Sequence, residues 1–240
     1  MIKKYFNVIN KKILKKGTQK KADSEKKDKS SRSTPQAIDV KILEETIRGL
    51  IPGRLNISSL KPVDSSGFSP DGADFIIYNE YCRDIDKLFS GQVPYELVHG
   101  AVFTVHDLTK STLADAINRV SSIKKINQFA ETESVFSIPS FIIAGCGTSY
   151  PLPDIKNDVI NYYISRGVEA EAEFELLAVL NYGILIKDWH RGNRSYVALE
   201  TGEDTLMWLA ILMCEYLDIE REDEFDLRRY VRSDRNYNEF

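Results

Sequence analysis

The chain has 240 residues, 42% of them hydrophobic, which is enough for one large core or two small ones. It holds no run of 18 or more apolar residues, which excludes a membrane-spanning helix, and its basic start lacks the apolar stretch and cleavage site of a secretory signal. The net charge of −4 is uneven: residues 1–33 carry 12 basic and 3 acidic groups and the other 207 carry 20 and 33, so a basic arm is joined to an acidic body that phosphate would avoid unless its cations cluster.

The first segment, MIKKYFNVINKKILKK, predicts a basic amphipathic helix over residues 1–16, with Ile2, Tyr5, Phe6, Ile9, Ile13 and Leu14 at helical spacing and lysines elsewhere. So short a helix is marginal alone in water, so a partner is expected: a protein first, with a membrane surface or nucleic acid as alternatives. Residues 17–35 are polar and charged and read as a flexible linker. The folded domain then spans 36–218, opening near Thr34 as an N-cap and Pro35 as a first helical position.

Within it, QAIDVKILEETIRGLI is a helix with Leu43, Ile47 and Leu50 on one face, stopping at Pro52-Gly53. Strand-like pieces follow in RLNIS, ADFIIYN and HGAVFTVH, the first two separated by the turn-forming DSSGFSPDG. TLADAINRVSSIKKINQF predicts a helix entered through a Thr112/Asp115 capping box. SFIIAGC reads as a buried strand and DIKNDVINYYISRG as a helix ending on Gly167. FELLAVLNYGILIKDW reads as a hairpin around Asn181-Tyr182-Gly183, and EDTLMWLAILMCEYLDI as a largely buried closing helix. Residues 219–240 form a charged tail. The order predicts an α/β fold with a single mixed central sheet flanked by helices. Cys82, Cys146 and Cys214 are far apart and form no CxxC, which points to a reducing, cytoplasmic setting and away from structural zinc.

LEETIRGLIPGRLNI, GADFIIYNE and VPYELVHGAVFTVHDLTKSTLADAINRVSSIKKI, followed in order by SIPSFIIAG, AVLNYGILI and GEDTLMWLAIL, resemble a bacterial family with a restriction-endonuclease-like PD-(D/E)XK core. The resemblance covers roughly residues 36–218 and implies a nuclease-like fold. In such a core two carboxylates hold Mg²⁺, which activates water and stabilises charge on the phosphate, and a lysine two residues past the second carboxylate orients the nucleophile. Carried over by position, Asp74 matches the first carboxylate, Tyr78 the tyrosine after the apolar pair, Glu44 or Glu45 the acidic helix position, and Glu96 the residue leading into the second strand. Thr104 stands where the second carboxylate belongs and His106 where the lysine belongs. Thr104 is a poor ligand for a hard cation, and imidazole is mostly neutral at pH 7.

The resemblance therefore implies a catalytically inactive nuclease-like binding protein, needing no cofactor, within a bacterial or phage-associated system that handles foreign nucleic acid. The alternative is an active Mg²⁺-dependent nuclease built on Asp74 and a migrated carboxylate, Glu96 or Asp107, the latter requiring a β-bulge to reach the same strand face. Two other signals stand beside it. AGCGTSYP resembles the phosphosugar loop of sugar isomerase domains, with Thr148 and Ser149 hydroxyls at a helix start, although Pro151 and Pro153 interrupt the helix expected there. KDWHRGNRSY places Trp189, His190, Arg191 and Arg194 together as contacts for a phosphate or stacked base, and fits a loop after a hairpin equally well.

Overall fold

A computed structural model describes residues 2–14, 37–64, 66–81, 84–127, 137–146, 148–188 and 195–217. The linker read over 17–35, the tail read over 219–240, the Trp189–Arg194 cluster and Cys82 lie outside the described residues.

The centre is a seven-stranded mixed sheet, made of β1 (Leu55–Ser58), β3 (Phe75–Asn79), β5 (Val98–Val105), β6 (Ser140–Ala144), β7 (Leu176–Val179), β8 (Gly183–Lys187) and β9 (Tyr196–Leu199), in that spatial order. A separate parallel pair, β2 (Lys61–Val63) with β4 (Gln92–Pro94), lies outside it, and a short helix α3 (Ile85–Leu88) precedes β4. The three middle strands β5, β6 and β7 run parallel; the outer pairs on both sides are antiparallel. Parallel strands need crossovers, supplied here by α4 (Lys110–Lys124) and α5 (Leu152–Arg166). With helices on both faces the central strands have no polar side. SFIIA and LLAV are buried at every position, while the edge strands β1 and β9 alternate between buried and half-buried.

One face packs Ile76, Phe103, Ile142 and Leu177 against Ile117 and Val120 of α4 and Ile155, Val159 and Tyr163 of α5. The other packs Ile77, Val102, Ile143 and Ala178 against α1 (Ile2–Ile13), α2 (Val40–Arg48) and α6 (Thr205–Leu217). The N-terminal helix thus finds its partner inside the chain. Phe6, Ile13 and Leu14 are buried, Lys3 Nζ lies 3.2 Å from Asp204 Oδ2, Asn10 donates to the Asn181 side chain, and the Asp39 amide donates to Ile13 O at 2.7 Å. The expectation that this apolar face awaits an external protein or membrane is corrected: the face is spent on the protein's own core. Tyr5, read as part of that face, instead points out and is exposed. Helix α6, apolar nearly all round, is buried because the sheet covers one side and α1 the other.

Two entries differ from expectation. Helix α2 begins at Val40, capped by Asp39, whose side chain accepts from the Ile42 amide at 3.4 Å. Helix α4 starts earlier than read, with Thr109 as N-cap and Thr112 completing the capping box. Near the N-terminal ends of β6 and β7, two ion pairs are enclosed. Lys124 Nζ reaches the Glu175 carboxylate at 2.7 and 3.0 Å, and Lys187 Nζ lies 3.4 Å from Glu173. Cys146 is buried, and the half-buried Cys214 thiol donates to Leu50 O at 3.2 Å.

Candidate functional site

Strand β3 enters the sheet beside β5, and its register places Phe75 opposite Val102. This brings Asp74, one residue ahead of β3, next to Thr104, near the C-terminal end of β5. The Asp74 amide donates to Val102 O at 2.9 Å. Its carboxylate oxygen Oδ2 then accepts the Thr104 amide at 2.6 Å and the Thr104 hydroxyl at 2.9 Å, extending the strand pairing with a side chain.

A third donor comes from α4. Arg119 Nη2 donates to the same Asp74 Oδ2 at 2.8 Å, Nε donates to Gly72 O at 2.7 Å, and Nη1 points at Thr104 O at 3.4 Å. The guanidinium carbon lies 5.5 Å from the centre of the Phe103 ring. Gly72 is required for this fit: its φ is +144°, and a Cβ there would approach the Arg119 Cβ and carbonyl oxygen at 3.3 Å. The Asp74 and Arg119 side chains are 32% and 33% exposed, so the pair sits in a shallow recess rather than in the core.

The sequence-predicted positions scatter around this recess. His106 and Asp107 are exposed just past the end of β5. The register irregularity between β3 and β5 falls at Ile77/Tyr78, toward the opposite end of the pair, so it does not turn Asp107 round. Glu96 is exposed in a 3₁₀ turn before β5. The strand rise puts about 20 Å of β5 between its start and Thr104, so Glu96 and Asp74 do not share a ligand. Glu45 is exposed on α2, across the sheet from α4, and Glu44 pairs with Arg48 at 2.8 Å. Tyr78 is buried against the α4/α5 layer. Arg119 was missed because a lone arginine mid-helix in TLADAINRVSS carries no sequence signal; only the fold reveals its partners.

These residues do not fit Mg²⁺. The nearest neighbours of Asp74 are a hydroxyl, an amide and a guanidinium, and among the described residues no three His, Cys, Asp or Glu side chains are grouped to hold a metal ion.

The glycine-rich turn after β6 is likewise committed internally. The Thr148 hydroxyl donates to Leu108 O at 2.8 Å, and the Leu152 amide at the start of α5 donates to Tyr182 OH at 2.9 Å. Pro151 and Pro153 flank the start of α5 rather than breaking it, as prolines do in a first turn. Among the described residues here, the Thr148 hydroxyl and the Leu152 amide are thus already paired within the protein. Beside it, Tyr150 OH donates to Asp158, which also pairs with Lys110 at 2.9 Å, and burial with this negative charge pushes the Tyr150 phenol well above its usual range.

No protein-family model matches the chain, and no curated protein matches it in sequence. Among solved structures, E. coli MS115-1 NucC in its apo form matches with a TM-score of 0.59 at 16% identity, over 79% of this chain and 87% of that one. The fold is similar to that of NucC. P. aeruginosa ATCC27853 NucC in a cAAA-bound form matches at 0.58 and 13% identity, over 73% and 76%. The cAAA-bound form of E. coli MS115-1 NucC matches at 0.58 and 14%, over 73% and 75%. The seven-stranded mixed sheet flanked by helices is thus an α/β architecture similar to that of NucC. No helix among the described residues is long and apolar enough to cross a membrane.

Proposed function

We propose that this protein is a nuclease-fold member of a bacterial defence system that acts by binding rather than by hydrolysis. The observation that carries the reading is the state of Asp74: the one carboxylate at the motif position is taken by Thr104 and Arg119. The second motif position is a hydroxyl and the third an imidazole. The defence setting rests on the likeness to NucC and on the family resemblance of residues 36–218. Two of the similar structures are cAAA-bound, which makes a ligand of that type the first small molecule to test. A protein partner for the acidic body remains part of the proposal, with charge as its recognition chemistry.

The deciding experiment is a cleavage assay on single- and double-stranded DNA and RNA with Mg²⁺ or Mn²⁺, with and without cAAA, beside Asp74→Ala. No cleavage above background by either protein is expected. Cleavage by the wild type that Asp74→Ala abolishes overturns the reading and restores the active-nuclease alternative.

A further inference from the structure

We infer that Arg119 is the resident cation of the Asp74 centre: its guanidinium takes the place of the divalent ion that the motif calls for, and closes the recess to metal. The inference rests on the reading of Asp74, Thr104 and His106 as an altered motif, and deepens it by naming what fills the centre.

The argument begins with valence. A carboxylate oxygen has about two lone-pair directions. Asp74 Oδ2 faces three donors at 2.6, 2.9 and 2.8 Å, so that oxygen has none left for a hard cation. Any metal approaching the other oxygen would meet the positive guanidinium beside it.

Charge is balanced within the present centre: one carboxylate and one guanidinium sum to zero, with a neutral hydroxyl at position 104.

Geometry shows that the arginine is built in rather than passing by. Its planar fork is held at Nε by Gly72 O and at Nη2 by Asp74, with Nη1 directed at Thr104 O and the ring of Phe103 beneath. Gly72, with its positive φ, leaves room for the Arg119 stem. A lysine could supply the charge but not the fork. The centre has thus become a clamp joining the segment before β3, the end of β5 and the middle of α4.

Mn²⁺ binding measured by calorimetry and by loss of the free-ion EPR signal tests this without nucleic acid. Wild type, Thr104→Glu and T104E/R119K are expected to show no specific site. T104E/R119Q restores two acids and removes the cation. It is expected to bind Mn²⁺ on the order of tenfold tighter than wild type or more, and to lose that site when Asp74→Asn is added. T104D/R119Q, a smaller change, carries the same expectation should the first variant not fold. Arg119→Gln alone is expected to lower Tm by about 2–4 °C, the response of a domain this size to losing a partly exposed, charge-assisted clamp. The inference is overturned by a wild-type Mn²⁺ site that Asp74→Asn removes, by Thr104→Glu alone binding as tightly as T104E/R119Q, or by an unchanged Tm in Arg119→Gln. Cleavage activity bears on the proposed function; metal binding indifferent to residue 119 sinks this inference alone.

Discussion

Glu175→Gln is the sharpest test of what the buried charges do. Lys124 and Glu175 side chains are 1% and 5% exposed, and the carboxylate holds the ammonium at 2.7 and 3.0 Å while accepting the Ser140 amide at 2.5 Å. Glutamine keeps the volume, so no cavity forms, and its carbonyl still serves Ser140. What is lost is the countercharge of a buried ammonium and its 2.7 Å partner Oε1, which leaves Lys124 with neutral oxygens, the glutamine carbonyl and Ser137 Oγ at 2.9 Å. Removing one partner of such a pair costs about 3–5 kcal/mol, which in a domain of this size lowers Tm by about 6–20 °C. The loss also depends on pH. Burial already holds the Lys124 pKa below its usual value, and attraction to Glu175 opposes that fall. Without Glu175 it falls further. Between the folded and unfolded pKa values the unfolded chain binds more protons, so stability rises with pH. Urea denaturation followed by circular dichroism at about pH 6 and about pH 9 should therefore show the wild-type–variant gap shrinking at the higher pH, where the lysine can shed its proton. A gap below about 1 kcal/mol, or one that is the same at both pH values, refutes the reasoning.

Two further outcomes are expected. Phe6→Ala removes a buried ring from α1 and should cost about 3–5 kcal/mol in urea unfolding; a cost under 1 kcal/mol would mean that α1 is not seated on the body as described. His99 has its pKa lowered by burial and then by Arg54, and its Nδ1 is buried without a hydrogen-bond partner among the described residues. Its neutral form is favoured in the folded protein, so the unfolded chain takes up the proton first as pH falls below about 6.5 and stability is lost on acidification. His99→Gln should flatten that loss in Tm measured at about pH 7.5 and about pH 5; an unaltered slope contradicts the assignment.

Strand and helix positions were legible where periodicity and punctuation agreed. SFIIA, apolar after its leading Ser140 and bounded by Pro139 and Gly145, read as a buried strand; Gly167 ends α5 in the left-handed conformation that suits glycine; Asn181, with φ of 60°, turns the β7–β8 hairpin. The reading of Thr104 and His106 as motif positions rested on the strand period of two, which places alternate residues on one face. What escaped is what depends on distance along the chain. Arg119 meets Asp74 across 45 residues, and Lys124 meets Glu175 across 51. In a linear reading a lysine near a helix end looks like a solvated group. The pair β2 and β4 was missed because three-residue strands leave no pattern, and β9 because YVAL follows a polar cluster that drew attention away.

The seat of α1 has a consequence for biosynthesis. Lys3 and Asp204 are 201 residues apart, and the helix rests on α6, made last of the described elements. At about 5–20 residues per second, α1 waits about 10–40 s for α6 to be translated. Over that interval α2 can cover only part of its greasy side, so the nascent chain offers chaperones a lysine-flanked amphipathic handle that vanishes once α6 arrives.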